Sequence, residues 1–210
     1  MSIFDLLFLL SLLGVVIILV RILYLSIRTR WRAAGRTAAW LLMFVAAYML
    51  VLLGFSIATP QKEVPAGTEQ CFDDWCITVE QATRQDAIGT TRASGTFCIA
   101  TVRVSSRAKG RPQRETDVRI SLIDDRGRRF DVSPSGQRAL EQQGQAGQPV
   151  TSFAEPGGSF ESRLAFDVPR DAGKLNLVKS SWGWFPFRLI IDDPQSWLHR
   201  PTVVPLQFPR

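Results

Sequence analysis

Three cysteines, a lone histidine and three acidic doublets are the residues of this 210-residue chain best suited to catalysis, redox chemistry or metal binding. Cys71 and Cys76 bracket the stretch CFDDWC, and Cys98 sits in the alternating segment GTFCIATVRVSS. If 75–82 and 96–106 form a hairpin turning near Ile88 to Thr91, Cys76 faces Val102 or Arg103. Cys98 then faces a residue near Glu80, some four positions away from Cys76 and beyond disulfide reach. The expected disulfide is therefore Cys71–Cys76, closing a small loop, with Cys98 a buried free thiol. No CxxC pair occurs, and His199 and the carboxylates are scattered, so no metal site is assembled from sequence. The doublets Asp73–Asp74, Asp124–Asp125 and Asp192–Asp193 read as turn-forming carboxylates. They lack the D-x-D-x-D-G order of a calcium loop.

His199, in SWLHRP, is the single candidate general base, with Ser196 nearby. No nucleophile elbow or triad spacing accompanies it. Neither PGG nor GQAGQP has the strand-to-helix context of a phosphate loop. The sequence thus offers no catalytic, cofactor or metal residues. It does offer two candidate interaction surfaces. One is the basic run RVSSRAKGRPQRETDVR, with Arg103, Arg107, Lys109, Arg111, Arg114 and Arg119, partly balanced by Glu115 and Asp117. It suits lipid headgroups, an acidic partner or plain solvent. The other is SSWGWFPF, which concentrates Trp182, Trp184, Phe185 and Phe187 beyond what one strand face can bury.

These residues must be positioned by short strands. Segments 75–82, 95–106, 117–124, RRFDV, 159–168, KLNLVKS and FRLIID carry period-two patterning and are separated by Gly, Pro and Asp turns, the pattern of an all-β sandwich. In 95–106, Cys98, Ala100, Val102 and Val104 share one face, and Phe97, Ile99 and Thr101 the other. Leu164, Phe166 and Val168 line one face of 159–168. SGQRALEQQGQAGQP reads as a loop with at most one helical turn.

In this setting GTFCIATVRVSS, LIDDRGRRF and AEPGGSFESRLAFDVP together resemble the extracytoplasmic immunoglobulin-like domains of the family DUF4352. The resemblance covers residues 75–180 and rests on Asp125, Gly127 and Phe130 in a hairpin, then Pro156, Gly157, Ser159, Phe166, Val168 and Pro169 around a strand. The segment SSRAKGRPQRE departs from the Asn-rich loop frequent in that family. The resemblance implies an immunoglobulin-like sandwich outside the cytoplasm, and no enzymatic activity.

Ahead of this domain lie two apolar runs, 3–25 and 38–58, each long enough to cross a bilayer core as a helix. They are apolar on all sides, unlike amphipathic core helices. MSIFD lacks the basic start of a signal peptide, so an uncleaved first span is expected. The loop 26–37 carries Arg28, Arg30, Arg32 and Arg36, and Arg21 can snorkel to the same side. Only Lys62 follows before Cys71. This asymmetry places the loop in the cytoplasm and both the amino terminus and residues 71–210 outside, with 59–70 as a linker. Tyr24, Trp31 and Trp40 suit the cytoplasmic interface.

The net charge of +6 is divided unequally. Five of the 25 basic residues and one of the 19 acidic ones lie in the first 60, leaving 20 and 18 in the rest. The sequence pI near 9.8 therefore reports the anchor and gives no argument for a nucleic-acid partner. The expectation is a multi-pass protein of a bacterial plasma membrane, an α-helical hairpin followed by an all-β immunoglobulin-like sandwich. Its partners would be the lipid bilayer and an envelope protein, and its role binding or interaction at the envelope. Two alternatives stand beside it: an accessory subunit of a membrane complex, and an envelope hydrolase using His199, which requires that histidine in a cleft beside a carboxylate.

Overall fold

The computed structural model describes residues 3–72, 74–181, 189 and 200–208. The chain divides into two compact units, Met1–Pro60 with Gly183–Arg200, and Gln61–Trp182 with Pro201–Arg210.

The first unit holds α1 (Ile3–Ile27) and α2 (Trp31–Ala58). Both are long and apolar enough to cross a membrane. The expected loop 26–37 contracts to Arg28–Arg30. Ala33, Ala34, Arg32 and Arg36 are good helix formers, so α2 continues past the apolar boundary and carries Arg32 and Arg36 in its first turns. The reversal is closed by two bonds, from Arg30 N–H to Leu25 O (2.9 Å) and from Thr29 N–H to Ser26 O (3.0 Å). This pattern needs a left-handed residue at its centre, and Thr29 takes that position at φ 56°. Hydroxyls in the helices are satisfied locally: Ser26 Oγ donates to Ile22 O and Thr37 Oγ1 to Ala33 O. In an apolar solvent such back-bonding removes the cost of an unpaired hydroxyl.

Among the described residues, the second unit is a sandwich of eight strands: β1 (Glu69–Phe72), β2 (Trp75–Ile88), β3 (Thr91–Ser106), β4 (Val118–Asp124), β5 (Arg129–Asp131), β6 (Ser159–Val168), β7 (Leu175–Ser181) and β8 (Val203–Pro205). They form two four-stranded sheets, ordered β1-β2-β3-β6 and β5-β4-β7-β8, with every strand pairing antiparallel. The chain changes sheet between β3 and β4, between β5 and β6, and between β6 and β7. This is the crossing pattern of an immunoglobulin-like sandwich, with β1 added at one edge. The fold class read from the sequence is the one observed.

Alternation located β3, β4, β6 and β7 well. β1 and β8 escaped it because they are three or four residues long. The segment expected as a strand over 187–192 lies outside the described residues apart from Leu189. The hairpin of β2 and β3 turns between Ile88 and Thr91, yet its register differs from an uninterrupted ladder. Irregularities between Val79 and Gln81 and between Gln85 and Ala87 displace it, so Cys76 pairs with Ser105 and Cys98 with Arg84. Bulges insert unpaired residues into one strand and shift everything beyond them.

The segment 133–145 is also more ordered than expected. It forms α3 (Pro134–Gln142), started by Ser133, whose Oγ accepts from Gly136 N–H, and by Pro134 in the first turn. Its Ala139 and Leu140 pack with Phe97, Ile99 and Ala165 in a second apolar cluster. Both faces of β3 are therefore buried: Cys98, Ala100, Val102 and Val104 face the main core with Leu122, Leu164, Phe166 and Leu177. Residues 59–70 are more than a linker. Val64 N–H donates to Val203 O, Val203 N–H to Lys62 O, and Gly67 N–H to Val79 O, which ties the chain into the sandwich from Lys62 onward.

Candidate functional site

The cysteines take separate roles. Cys71 and Cys76 lie directly opposite one another on β1 and β2, with Cα atoms 3.9 Å apart, and are joined as a disulfide. Glu69 lies beside them, and the three could be mistaken for a metal cage. Both sulfurs are consumed by the disulfide, so no thiolate is available to a cation. The Glu69 carboxylate is occupied as well. It accepts from Ser105 Oγ (2.6 Å) and pairs with Arg107, and these two bonds hold its pKa below the usual range. Cys98 is fully buried and free, and burial pushes its thiol up to about 12, which leaves it unreactive at neutral pH.

The doublet Asp124–Asp125 starts a turn whose Gly127 has φ 76°. Asp124 is buried, and its carboxylate accepts from Arg126 N–H (3.0 Å), Arg128 N–H (2.8 Å) and Arg128 Nε (2.7 Å). Burial alone would raise its pKa, but these bonds outweigh it and hold the carboxyl low. Arg128 also reaches Asp171, which pairs with Arg126. Asp124 thus holds an arginine turn together. Asp73, Asp192 and Asp193 lie outside the described residues, as do Ser196 and His199.

Among the described residues, two of the open grooves lie on the sandwich. One, of about 380 Å³, is lined by Val79, Gln81, Leu206 and Phe208, with Arg84 stacked 4.3 Å from the Phe208 ring. The other, of about 550 Å³, lies at Ser94, Gly95, Asp167 and Arg170. There the Asp167 carboxylate accepts from Ser94 N–H (2.8 Å) and Gly95 N–H (3.1 Å).

The basic run is divided by the fold. Arg103 projects from β3 and pairs with Glu80, and Arg107 pairs with Glu69, so both are largely neutralised. Lys109, Arg111 and Arg114 lie on the exposed connection from β3 to β4. Lys109 and Arg111 have no carboxylate partner among the described residues. The base of this loop is fixed, since Arg107 N–H donates to Asp74 O (2.7 Å), and Gln113 and Ala154 exchange two backbone bonds (2.9 and 2.8 Å). That second tie brings in Phe153, a residue that strand patterning passes over. Phe153 is 56% exposed, the one large apolar side chain so exposed among the described residues of the sandwich, and the Arg114 guanidinium lies 4.6 Å from its ring. Its signal in the sequence was a lone aromatic in the polar, turn-rich stretch TSFAEPGG. Trp182, Trp184, Phe185 and Phe187 lie outside the described residues.

No family model and no curated protein matches the chain. Among solved structures it is similar to the secreted protein MPT63 of Mycobacterium tuberculosis, with 11% identity, 71% of this chain and 99% of that one covered, and TM-score 0.47. It is also similar to an uncharacterised β-sandwich protein of Clostridium difficile, with 13% identity, 71% and 96% covered, and TM-score 0.43. The yjhA protein of Bacillus subtilis is a third, with 13% identity, 68% and 98% covered, and TM-score 0.42.

Proposed function

We propose that the chain is a membrane-anchored, extracytoplasmic immunoglobulin-like module of a bacterial plasma membrane, serving binding or interaction at the envelope without enzymatic activity. The observation that carries this reading is the surface of the helical hairpin. Leu6, Leu10, Leu13, Ile17, Val20 and Leu23 are all exposed along α1, as are Trp40, Leu42, Leu50 and Ile57 along α2. A helix pair apolar on every side finds its solvent in lipid tails. The Cys71–Cys76 disulfide agrees with an oxidising compartment for the sandwich, and the arginines at the α1–α2 turn with a cytoplasmic turn. The likeness to the DUF4352 pattern belongs to the same reading. Gly127 and Gly157 both hold positive φ at the turns of that pattern, and Phe166 and Val168 fill the core.

Cysteine accessibility in intact cells tests the topology. A membrane-impermeant maleimide should label Thr68→Cys in intact cells and Thr29→Cys only after permeabilisation. Labelling of Thr29→Cys in intact cells would overturn the two-span orientation. Loss of an amino-terminal tag from the mature protein would mean that α1 is removed as a signal peptide.

A further inference from the structure

The loop carrying Lys109, Arg111 and Arg114 ends at Val118, which opens β4 opposite Ser181, the last residue of β7. Strand β8 begins opposite Val178, three residues from that same end of β7. The chain joins the sandwich beside β8: Gln61 Nε2 donates to Pro201 O (3.2 Å), and Lys62 O accepts from Val203 N–H (2.9 Å). β4 and β8 both flank β7, so the base of the basic loop and the point where the chain enters lie at the same end of this sheet. Only Thr59 and Pro60 separate Gln61 from the end of α2.

We propose that the β3–β4 loop and Phe153 dock this end of the sandwich onto anionic phospholipid headgroups of the membrane that holds the helices. The inference rests on the anchored reading of α1 and α2. Its chemistry is set by what the tip presents. Lys109 and Arg111 are cations without a carboxylate partner among the described residues. Arg114 lies over the ring of an exposed phenylalanine, a pair in which the ring would enter the interface and the guanidinium stay at phosphate level. The neighbouring Arg103 and Arg107 are spent on Glu80 and Glu69, which limits the free charge to the tip. Each cation close to an anionic membrane surface favours docking by about fivefold, Glu115 and Asp117 on the same loop offset part of that gain, and salt weakens what is left.

The test uses the full chain in lipid nanodiscs of phosphatidylcholine alone or mixed with phosphatidylglycerol. Thr151→Cys, exposed and two residues from Phe153, carries a fluorophore quenched by headgroup nitroxides. Cys98 stays unlabelled because it is buried. Docking predicts at least twofold stronger quenching in the anionic discs, reversed by added salt. It predicts loss of that gain in the triple variant Lys109→Glu, Arg111→Glu, Arg114→Glu, and a partial loss in Phe153→Ser with the charges intact. Equal quenching in both lipids, or a gain that survives the triple charge reversal, overturns the docking while the anchored reading stands. A chain that does not stay with the discs overturns the anchored reading and the docking with it. An acidic protein partner that binds the same loop while the lipid arms show no difference also overturns it.

Discussion

Single side chains in the sandwich hold their ionisation states against their surroundings. Lys179, on the core-facing side of β7, is mostly buried, and desolvation lowers its pKa from 10.5 to about 8. The unfolded chain binds a proton there up to about pH 10.5, whereas the folded chain releases it from about pH 8. Folding therefore carries a penalty below pH 8 that disappears as pH rises through this window. With a discount for partial exposure, denaturant titrations should show the wild type gaining about 1–2 kcal/mol between pH 8 and 10.5. Lys179→Met should lack that gain, and an unchanged slope in the variant would rule out this origin. Asp124 works at the acid end with the opposite sign. Its folded pKa is depressed, so its contribution is present above the unfolded carboxylate pKa and is lost as pH falls through the folded one. Asp124→Asn should flatten the acid limb of the stability profile below about pH 4. Cys98 gives the simplest check. One thiol should titrate after denaturation without reductant and none in the native state at neutral pH, whereas three would contradict the disulfide.

At the scale of elements, two devices replace what regular pairing leaves undone. The outer edge of β6 has no further strand beside it at Arg163 and Ala165, and a side chain from α3 fills the gap. Gln137 Nε2 donates to Arg163 O (3.1 Å), and its Oε1 accepts from Ala165 N–H (3.3 Å). Gln137→Ala strands both backbone groups and should cost about 2 kcal/mol in chemical denaturation. The helical hairpin shows the reverse case, a residue at odds with its position. Thr29 is β-branched yet left-handed. Thr29→Gly keeps the same turn without that clash and should raise the thermal stability of the detergent-solubilised hairpin, by about 1 kcal/mol. A destabilised variant would mean that the threonine side chain makes a contact outweighing its backbone strain.

Across the whole molecule, charge and apolarity are allocated by region. The apolar exposure belongs to the helices, and the near-balanced sandwich places Lys109, Arg111 and Arg114 together on the β3–β4 connection. As an interaction module the chain should leave the membrane in mild detergent as a monomer or homodimer by light scattering. A discrete heteromeric complex would favour the accessory-subunit role instead.

Hydropathy and alternation are properties of neighbouring residues, so the sequence by itself determined the two apolar helices, the core faces of β3 and β6, the turn glycines and the sandwich class. The pairing of Cys71 with Cys76 was legible for the same reason, since only four residues lie between them. Tertiary structure decided what depends on distant segments. Two bulges set the register that places Cys98 opposite Arg84, and packing against Phe97 and Ala165 made 134–142 a helix. Which arginines of the basic run are neutralised was also settled there, because Glu80 and Glu69 reach Arg103 and Arg107 across strands. Phe153 joined Arg114 through the Gln113–Ala154 bridge, a contact between residues 39 apart that no local pattern encodes.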